Sequence, residues 1–224
     1  MPIMPKQATL RPPVATTQAS KTEVFKPFGP TIGKAKMPGS LVKYLNTHCD
    51  NWIKEKAMQE KLSYGHELIG NVTQELHLSE EVLKEGSVTN FIKTSVSEWI
   101  KKSIGKEIER FEIQNSWIVR QFEHEYNPLH THSAHISGVG YLKVPDDFGA
   151  TYQNQKKNLN GQIEFMHGSK HFLCSATATV QPAVGDFYFF PNYLFHTVYP
   201  FIGNSERRSI SFNAFIDEDI YNAV

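Results

Sequence analysis

Asn127-Pro128-Leu129-His130-Thr131-His132-Ser133-Ala134-His135-Ile136-Ser137-Gly138-Val139-Gly140-Tyr141-Leu142 places two histidines two residues apart, just before a run that reads as a β-strand. Strand side chains alternate faces, so residues i and i+2 point the same way. His130 and His132 can therefore aim two imidazoles at one point, an arrangement that suits a metal ion inside a barrel. A third ligand must come from elsewhere, and His196 offers one.

His196 belongs to a second cluster, Gly185-Asp186-Phe187-Tyr188-Phe189-Phe190-Pro191-Asn192-Tyr193-Leu194-Phe195-His196-Thr197-Val198. An apolar strand ends at Pro191, and a short turn delivers His196 at the start of the next strand. Further on comes Arg207-Arg208-Ser209-Ile210-Ser211-Phe212-Asn213. Arg207, Ser209, Ser211 and Asn213 share one strand face; Arg208, Ile210 and Phe212 share the other. A polar inner face with an apolar outer face is odd for a plain core and makes sense if the interior holds a charged ligand. Arg beside Ser suits a carboxylate, since Arg offers a bidentate fork and Ser a third donor. Arg208, on the opposite face, fits an exposed salt bridge instead.

The rest of the chain supplies the frame. Its 224 residues suffice for one large all-β domain or two small ones. Acidic and basic residues balance at 23 each, so no nucleic-acid or membrane surface is expected. The 15 Phe and 9 Tyr support a packed β-rich core. Cys49 and Cys174 are the only cysteines, which implies neither a disulfide framework nor a cysteine zinc site. The first residues lack the apolar core of a signal peptide, and no apolar run approaches a membrane span, so a soluble cytoplasmic protein is expected.

Residues 1–23, rich in Pro, Thr, Ser and Ala, read as a disordered or loosely attached arm. Val24 to Met37 could supply an edge strand ending at Pro38. From Ser40, a plausible N-cap, Leu41, Tyr44, Leu45, Trp52 and Ile53 recur at helical spacing, predicting a helix to about Leu62. A short helix follows Ser79, with Glu80 and Glu81 in its first turn, and ends near Gly86. A third, after Ser87, carries Val88, Phe91, Ile92, Val96, Trp99 and Ile100 on one stripe and stops at Gly105. Beyond residue 106 the period changes to that of strands, expected over 111–123, 135–144, 161–166, 176–181, 185–190, 195–199 and 207–216. The expectation is a single domain over 24–224, with a helical support region (24–105) and a jelly-roll core (106–224), after the loose arm (1–23). The class is α+β, mainly β: a β sandwich or barrel with N-terminal helices packed on one face.

His-x-His, then Ser-Gly-Val-x-Tyr-Leu, then Gly-Asp-x-x-x-Phe-Pro-x-x-x-x-His, then Arg-x-Ser-x-x-x-Asn resembles the 2-oxoglutarate- and Fe(II)-dependent oxygenases, in particular a prolyl-hydroxylase-like branch of bacteria and viruses. The likeness covers Trp117 to Phe215. It implies a double-stranded β-helix, or jelly roll, with iron in its open end. It implies that His130 and His196 are the two histidines of the iron triad, that Arg207 grips the distal carboxylate of 2-oxoglutarate with Ser209 beside it, and that Tyr141 reaches the same carboxylate. The chemistry implied is a hydroxylation that couples oxidative decarboxylation of 2-oxoglutarate to oxidation of a small molecule or protein group by molecular oxygen. One position departs from the pattern: most of the family has His-x-Asp or His-x-Glu, where this chain has His132. Either three imidazoles hold the metal, the reading favoured here, or His132 stands aside and another group or water completes the site. Pro145 to Gly161 is a plausible substrate lid. His135 is assigned a structural or rim role, and His124, His167 and His171 a surface or rim one. A cupin-type metal-binding jelly roll is the alternative. It fits the His-x-His spacing, but it would place Glu where Ile136 and Ser137 stand and has no use for Arg207-x-Ser209.

Overall fold

A computed structural model of the chain describes residues 29–65, 68–151 and 157–223. The expected N-terminal arm lies outside the described residues, as does the middle of the expected lid, 152–156.

The chain enters through β1 (Gly33–Lys36), which pairs with one strand only and forms a sheet edge. Two helices follow, α1 (Gly39–Trp52) and α2 (Lys56–Leu62), where one continuous helix was predicted. The break has a packing cause. α1 buries Leu41, Leu45 and Cys49 on one stripe, whereas α2 buries no residue and so cannot continue that stripe. Pro38, not Ser40, takes the N-cap position: its carbonyl accepts from Leu41 and Val42 N–H, at 3.0 and 3.1 Å. The next strand, β2 (Gln74–His77), escapes a periodicity reading because its four residues hold one apolar side chain. α3 (Glu80–Glu85) starts as predicted, with Ser79 Oγ accepting from Val82 N–H. α4 (Val88–Ile104) buries Val88, Ile92, Val96 and Ile100, and Gly105 stops it at φ 71°.

Eight strands then follow: β3 (Phe111–Gln121), β4 (Asn127–His130), β5 (Ile136–Lys143), β6 (Ile163–Met166), β7 (Thr177–Val180), β8 (Asp186–Pro191), β9 (Phe195–Val198) and β10 (Arg207–Ile216). A last turn of helix, α5 (Glu218–Tyr221), closes the described chain. The strands form two antiparallel sheets, a large one ordered β1-β8-β5-β10-β3-β2 and a small one ordered β4-β9-β6-β7. β1 and β2, from the helical half of the sequence, form the two edges of the large sheet. Between the sheets, Val139, Tyr141, Tyr188 and Phe190 from one meet Ile163, Phe165 and Val198 from the other. The fold is a double-stranded β-helix, mainly β with a helical layer.

That layer covers the other face of the large sheet. Leu41, Leu45, Ile92 and Val96 pack there against Ile118, Phe187, Phe189, Ile210 and Phe212. The alternation predicted along β10 is therefore right, but the apolar face is not an outer one: it lies beneath helices. Arg208 is corrected with it. Far from being exposed, it is 2% accessible. Its guanidinium donates to Glu206 at 2.7 Å and to Asp50 at 2.8 Å. A cation on the covered face needs such partners, and Glu206, also held by Arg120 at 2.6 Å, provides them. Among the described residues no helix is long and apolar enough to cross a membrane.

Candidate metal centre and carboxylate pocket

His130 ends β4 and sits opposite His196 of β9 in the small sheet. His132 lies beyond β4, so strand alternation does not place it. A loop does, tied down by the bond from His132 N–H to Asn192 O at 3.1 Å. The ligand nitrogens of His130, His132 and His196 all lie within 4.8 Å of one another. The Nε2 atoms of His132 and His196 are 3.2 Å apart. Two imidazoles bound at right angles to one ion, each at ~2.1 Å, would hold their nitrogens ~3 Å apart. The spacing fits a metal.

Two backbone carbonyls orient the rings. Pro128 O stands 2.7 Å from His130 Nδ1, and Leu194 O stands 3.0 Å from His196 Nδ1. An Nδ1–H donated to a carbonyl leaves the Nε2 lone pair free to ligate. Burial lowers the His130 pKa from its ordinary value. Burial, reinforced by the neighbouring imidazoles, pulls His132 down to about 3 and His196 to about 4. All three are neutral at pH 7, the form that binds metal.

Behind the histidines runs a cavity lined by Val119, Gln121, Val139, Ile163, Arg207 and Ser209. Arg207 is fully buried at its inner end. Its Nε donates to Gly161 O at 3.1 Å and its Nη1 to Gln121 Oε1 at 3.1 Å. The guanidinium carbon lies 5.0 Å from the centre of the Tyr141 ring. Two donors are left over: Arg207 Nη2 and the Tyr141 hydroxyl are buried without a hydrogen-bond partner among the described residues. Nor does a carboxylate among them pair with Arg207. A buried cation and a buried hydroxyl left open side by side are unfavourable unless an anion fills the space. The residues fit a bound carboxylate.

A match to known proteins bears on the same stretch. Residues 115–213 match a family model described as "Putative 2OG-Fe(II) oxygenase". This is the stretch whose motifs resemble the 2-oxoglutarate- and Fe(II)-dependent oxygenases, and the chain is similar to that family over it. The match supports Fe(II) and 2-oxoglutarate as cofactors, with molecular oxygen and an oxidisable substrate as partners. None of the curated proteins matches the sequence. Among solved structures, a prolyl-4-hydroxylase of Pseudomonas putida is similar with a TM-score of 0.52 at 16% identity, over 83% of this chain and 91% of that chain. A prolyl hydroxylase of Trichoplax adhaerens, in complex with a hypoxia-inducible-factor peptide fragment, gives 0.54 at 11%, over 86% of both chains. HygX of Streptomyces hygroscopicus, with nickel, 2-oxoglutarate and hygromycin B bound, gives 0.54 at 10%, over 84% and 82%. At these identities the likeness is one of fold.

The fold thus brings together the residues singled out in the sequence. His130, His132 and His196 converge at one end of the cavity, and Arg207, Ser209 and Tyr141 gather at the other. His135 stands apart: buried, it accepts from Ile216 N–H at 3.2 Å and stacks on Tyr221 at 4.0 Å, a structural role. His124, His167 and His171 are exposed. Sequence reasoning missed Gln121, which holds Arg207. Its signal was parity, a polar residue on the β3 face shared by Trp117 and Val119. It also missed what Asn213 does. Ser137 Oγ donates to Asn213 Oδ1 at 2.7 Å, Asn213 Nδ2 to Asn115 Oδ1 at 2.9 Å, and Asn115 Nδ2 to the Tyr64 hydroxyl at 3.0 Å. This relay crosses three elements and fixes Tyr64 at the mouth of the cleft that opens onto His130 and His132.

Proposed function

We propose that the chain hydroxylates an organic substrate at the expense of 2-oxoglutarate, with His130, His132 and His196 holding Fe(II) and Arg207, Ser209 and Tyr141 holding the distal carboxylate. The observation that supports this most is the pair of open donors, Arg207 Nη2 and Tyr141 Oη, buried at the far end of a cavity that starts at three neutral imidazoles. Bound iron supplies the oxygen activation, and 2-oxoglutarate supplies two electrons as it becomes succinate and carbon dioxide. The protein does the rest. Arg207 offers a charge-assisted donor to the dianion. Gln121 and Gly161 keep the guanidinium from turning away. Val139, Ile163 and Phe190 exclude water from the cavity between the two ends. The substrate, a small molecule or a protein side chain, enters by the cleft of about 380 Å³ lined by Tyr64, Trp117, His130 and His132.

Anaerobic titration with Fe(II) and then 2-oxoglutarate tests the reading without a known substrate. The expected result is a weak visible charge-transfer band that saturates with both additions. Iron binding without the band, together with no effect of 2-oxoglutarate on heat release, would leave the cupin alternative standing.

A further inference from the structure

Glu75 is a carboxyl group for which the reaction above has no use. It sits on β2, whose register sets Glu75 opposite Val119 and His77 opposite Trp117. Glu75 therefore shares the cavity face of the large sheet, while Leu76, opposite Ile118, packs beneath the helices. It is 3% exposed, and its Oε2 has no hydrogen-bond partner among the described residues. Asn127 Oδ1 is a second buried acceptor without one. Both residues line the cleft that reaches His130 and His132. They meet at Gly70, where a Cβ would come within 2.5 Å of Asn127 Oδ1 and 3.3 Å of Glu75 Oε1. The Gly70 backbone lies close against both side chains, and the unpartnered Glu75 Oε2 faces Gly65, where a Cβ would stand 3.5 Å away.

Charge narrows what could meet these oxygens. Burial, with the field of the Glu125 carboxylate added, raises the Glu75 carboxyl to about 7. Among the described residues Glu125 itself accepts only from neutral donors, the N–H groups of Thr73 and Phe122 and the Thr73 hydroxyl. No Lys or Arg among the described residues forms an ion pair with Glu75 or Glu125. Two unpaired acceptors in a locally negative pocket call for a ligand that brings both positive charge and more than one N–H.

We propose that Glu75 and Asn127 form a subsite for an ammonium group of the substrate, at the end of the cleft beside the histidine cluster. The substrate class is thus a primary amine, free or at the end of a side chain. This rests on the oxygenase reading for the word substrate, but the cation site stands on its own residues. An ammonium carries three N–H donors, enough to satisfy Glu75 and Asn127 together, and its charge offsets the two carboxylates.

Three probes separate charge from hydrogen bonding: n-butylammonium, tetramethylammonium, which has no N–H, and 1-butanol, which has no charge. Calorimetry on the full chain, with and without Fe(II) and 2-oxoglutarate under argon, measures each. Butylammonium is expected to bind roughly 10- to 100-fold more tightly than either of the others, as one charge-assisted hydrogen bond implies. Glu75→Gln should erase that preference while leaving Fe(II) and 2-oxoglutarate affinity as in the parent; Asn127→Ala should reduce it. The proposal is overturned by an absence of preference in the parent, by a preference that survives Glu75→Gln, or by displacement with sodium ions at equal concentration, which would mark an inorganic cation site. Failure of iron or 2-oxoglutarate to bind is read separately and strikes the oxygenase assignment of the site, not the ammonium one.

Discussion

His130→Ala and His196→Ala should each abolish Fe(II) binding at neutral pH, because each removes a neutral imidazole already oriented by a backbone carbonyl. Calorimetry on both variants checks this; parental iron affinity in both would mean the metal sits elsewhere. His132 is the more informative position. His132→Asp should retain iron, since a carboxylate there matches the commoner ligand set, and His132→Ala should lose it. Unchanged affinity in His132→Ala would remove residue 132 from the ligands. At the other end of the cavity, Arg207→Ala should spare iron and weaken 2-oxoglutarate binding by about 30- to several-thousand-fold, the cost of truncating one partner of a buried charged pair. Arg207→Lys should recover only part, as a point charge cannot replace the fork. Uncoupled 2-oxoglutarate decarboxylation and direct binding measure both. If neither variant differs from the parent, the open donors behind the histidines serve something else.

Within elements, β5 and β10 carry the load. β5 lies between β8 and β10, and its glycines, Gly138 and Gly140, leave no room for a side chain: a Cβ would strike Phe212 and Phe187 respectively. Gly140→Ala should therefore cost ~1–3 kcal/mol in chemical denaturation through forced repacking of the helix-side core. No loss of stability would show that Phe187 has room to move. On β10, Arg208, which the sequence assigns to an exposed salt bridge, is the buried hub of Glu206 and Asp50. Arg208→Ala should destabilise by ~3–5 kcal/mol, since it leaves Glu206 short of a partner, while the cavity face of the strand keeps its own residues. A folded, equally stable Arg208→Ala would mean that Arg120 alone satisfies Glu206. The alternation used to aim His130 and His132 at one point does not account for His132, for a related reason. Alternation predicts facing only inside a strand, and the backbone after His130 is held by Asn192 instead of by a ladder.

At the scale of the whole molecule, acid should unfold the metal-free protein early. Burial raises the Glu206 pKa, but hydrogen bonds from Arg120 and Arg208 outweigh it and hold the carboxyl at about 2. A depressed carboxylate contributes stability that is complete above its unfolded value near 4 and is lost as pH falls towards 2. His132 and His196, depressed by burial, act earlier: the unfolded chain takes up their protons below ~6.5 and the folded one does not, so stability falls from there towards pH 4. Glu75, raised to about 7, takes up its proton first in the folded state and opposes this fall. Two depressed histidines outweigh one raised carboxyl, so denaturant midpoints of the metal-free protein should drop from about pH 6.5 to below 4. Fe(II) should flatten the upper part of that curve, because it binds the neutral imidazoles of the folded state. A curve that stays level down to pH 4 would contradict the burial of the histidines.

Periodicity sufficed for the helices α3 and α4 and for most of the strands, because hydrophobic spacing and capping residues are local properties that survive without a partner. The same local rule placed Arg207 and Arg208 on opposite faces of β10, and the order His-x-His, His, Arg-x-Ser carried the oxygenase resemblance. What lies on the far side of each face is not local. Only the packed sheets and helices decided that Arg208 is buried, that α1 and α2 are separate, and that β2, with one apolar residue among four, closes the edge of the large sheet. Gln121 beneath Arg207 and Glu75 beside Asn127 are tertiary facts of the same kind. Each comes from a strand distant in sequence, and burial without a partner, the property that marks Glu75 and Arg207 Nη2 as places for a ligand, exists only once the neighbours are in position.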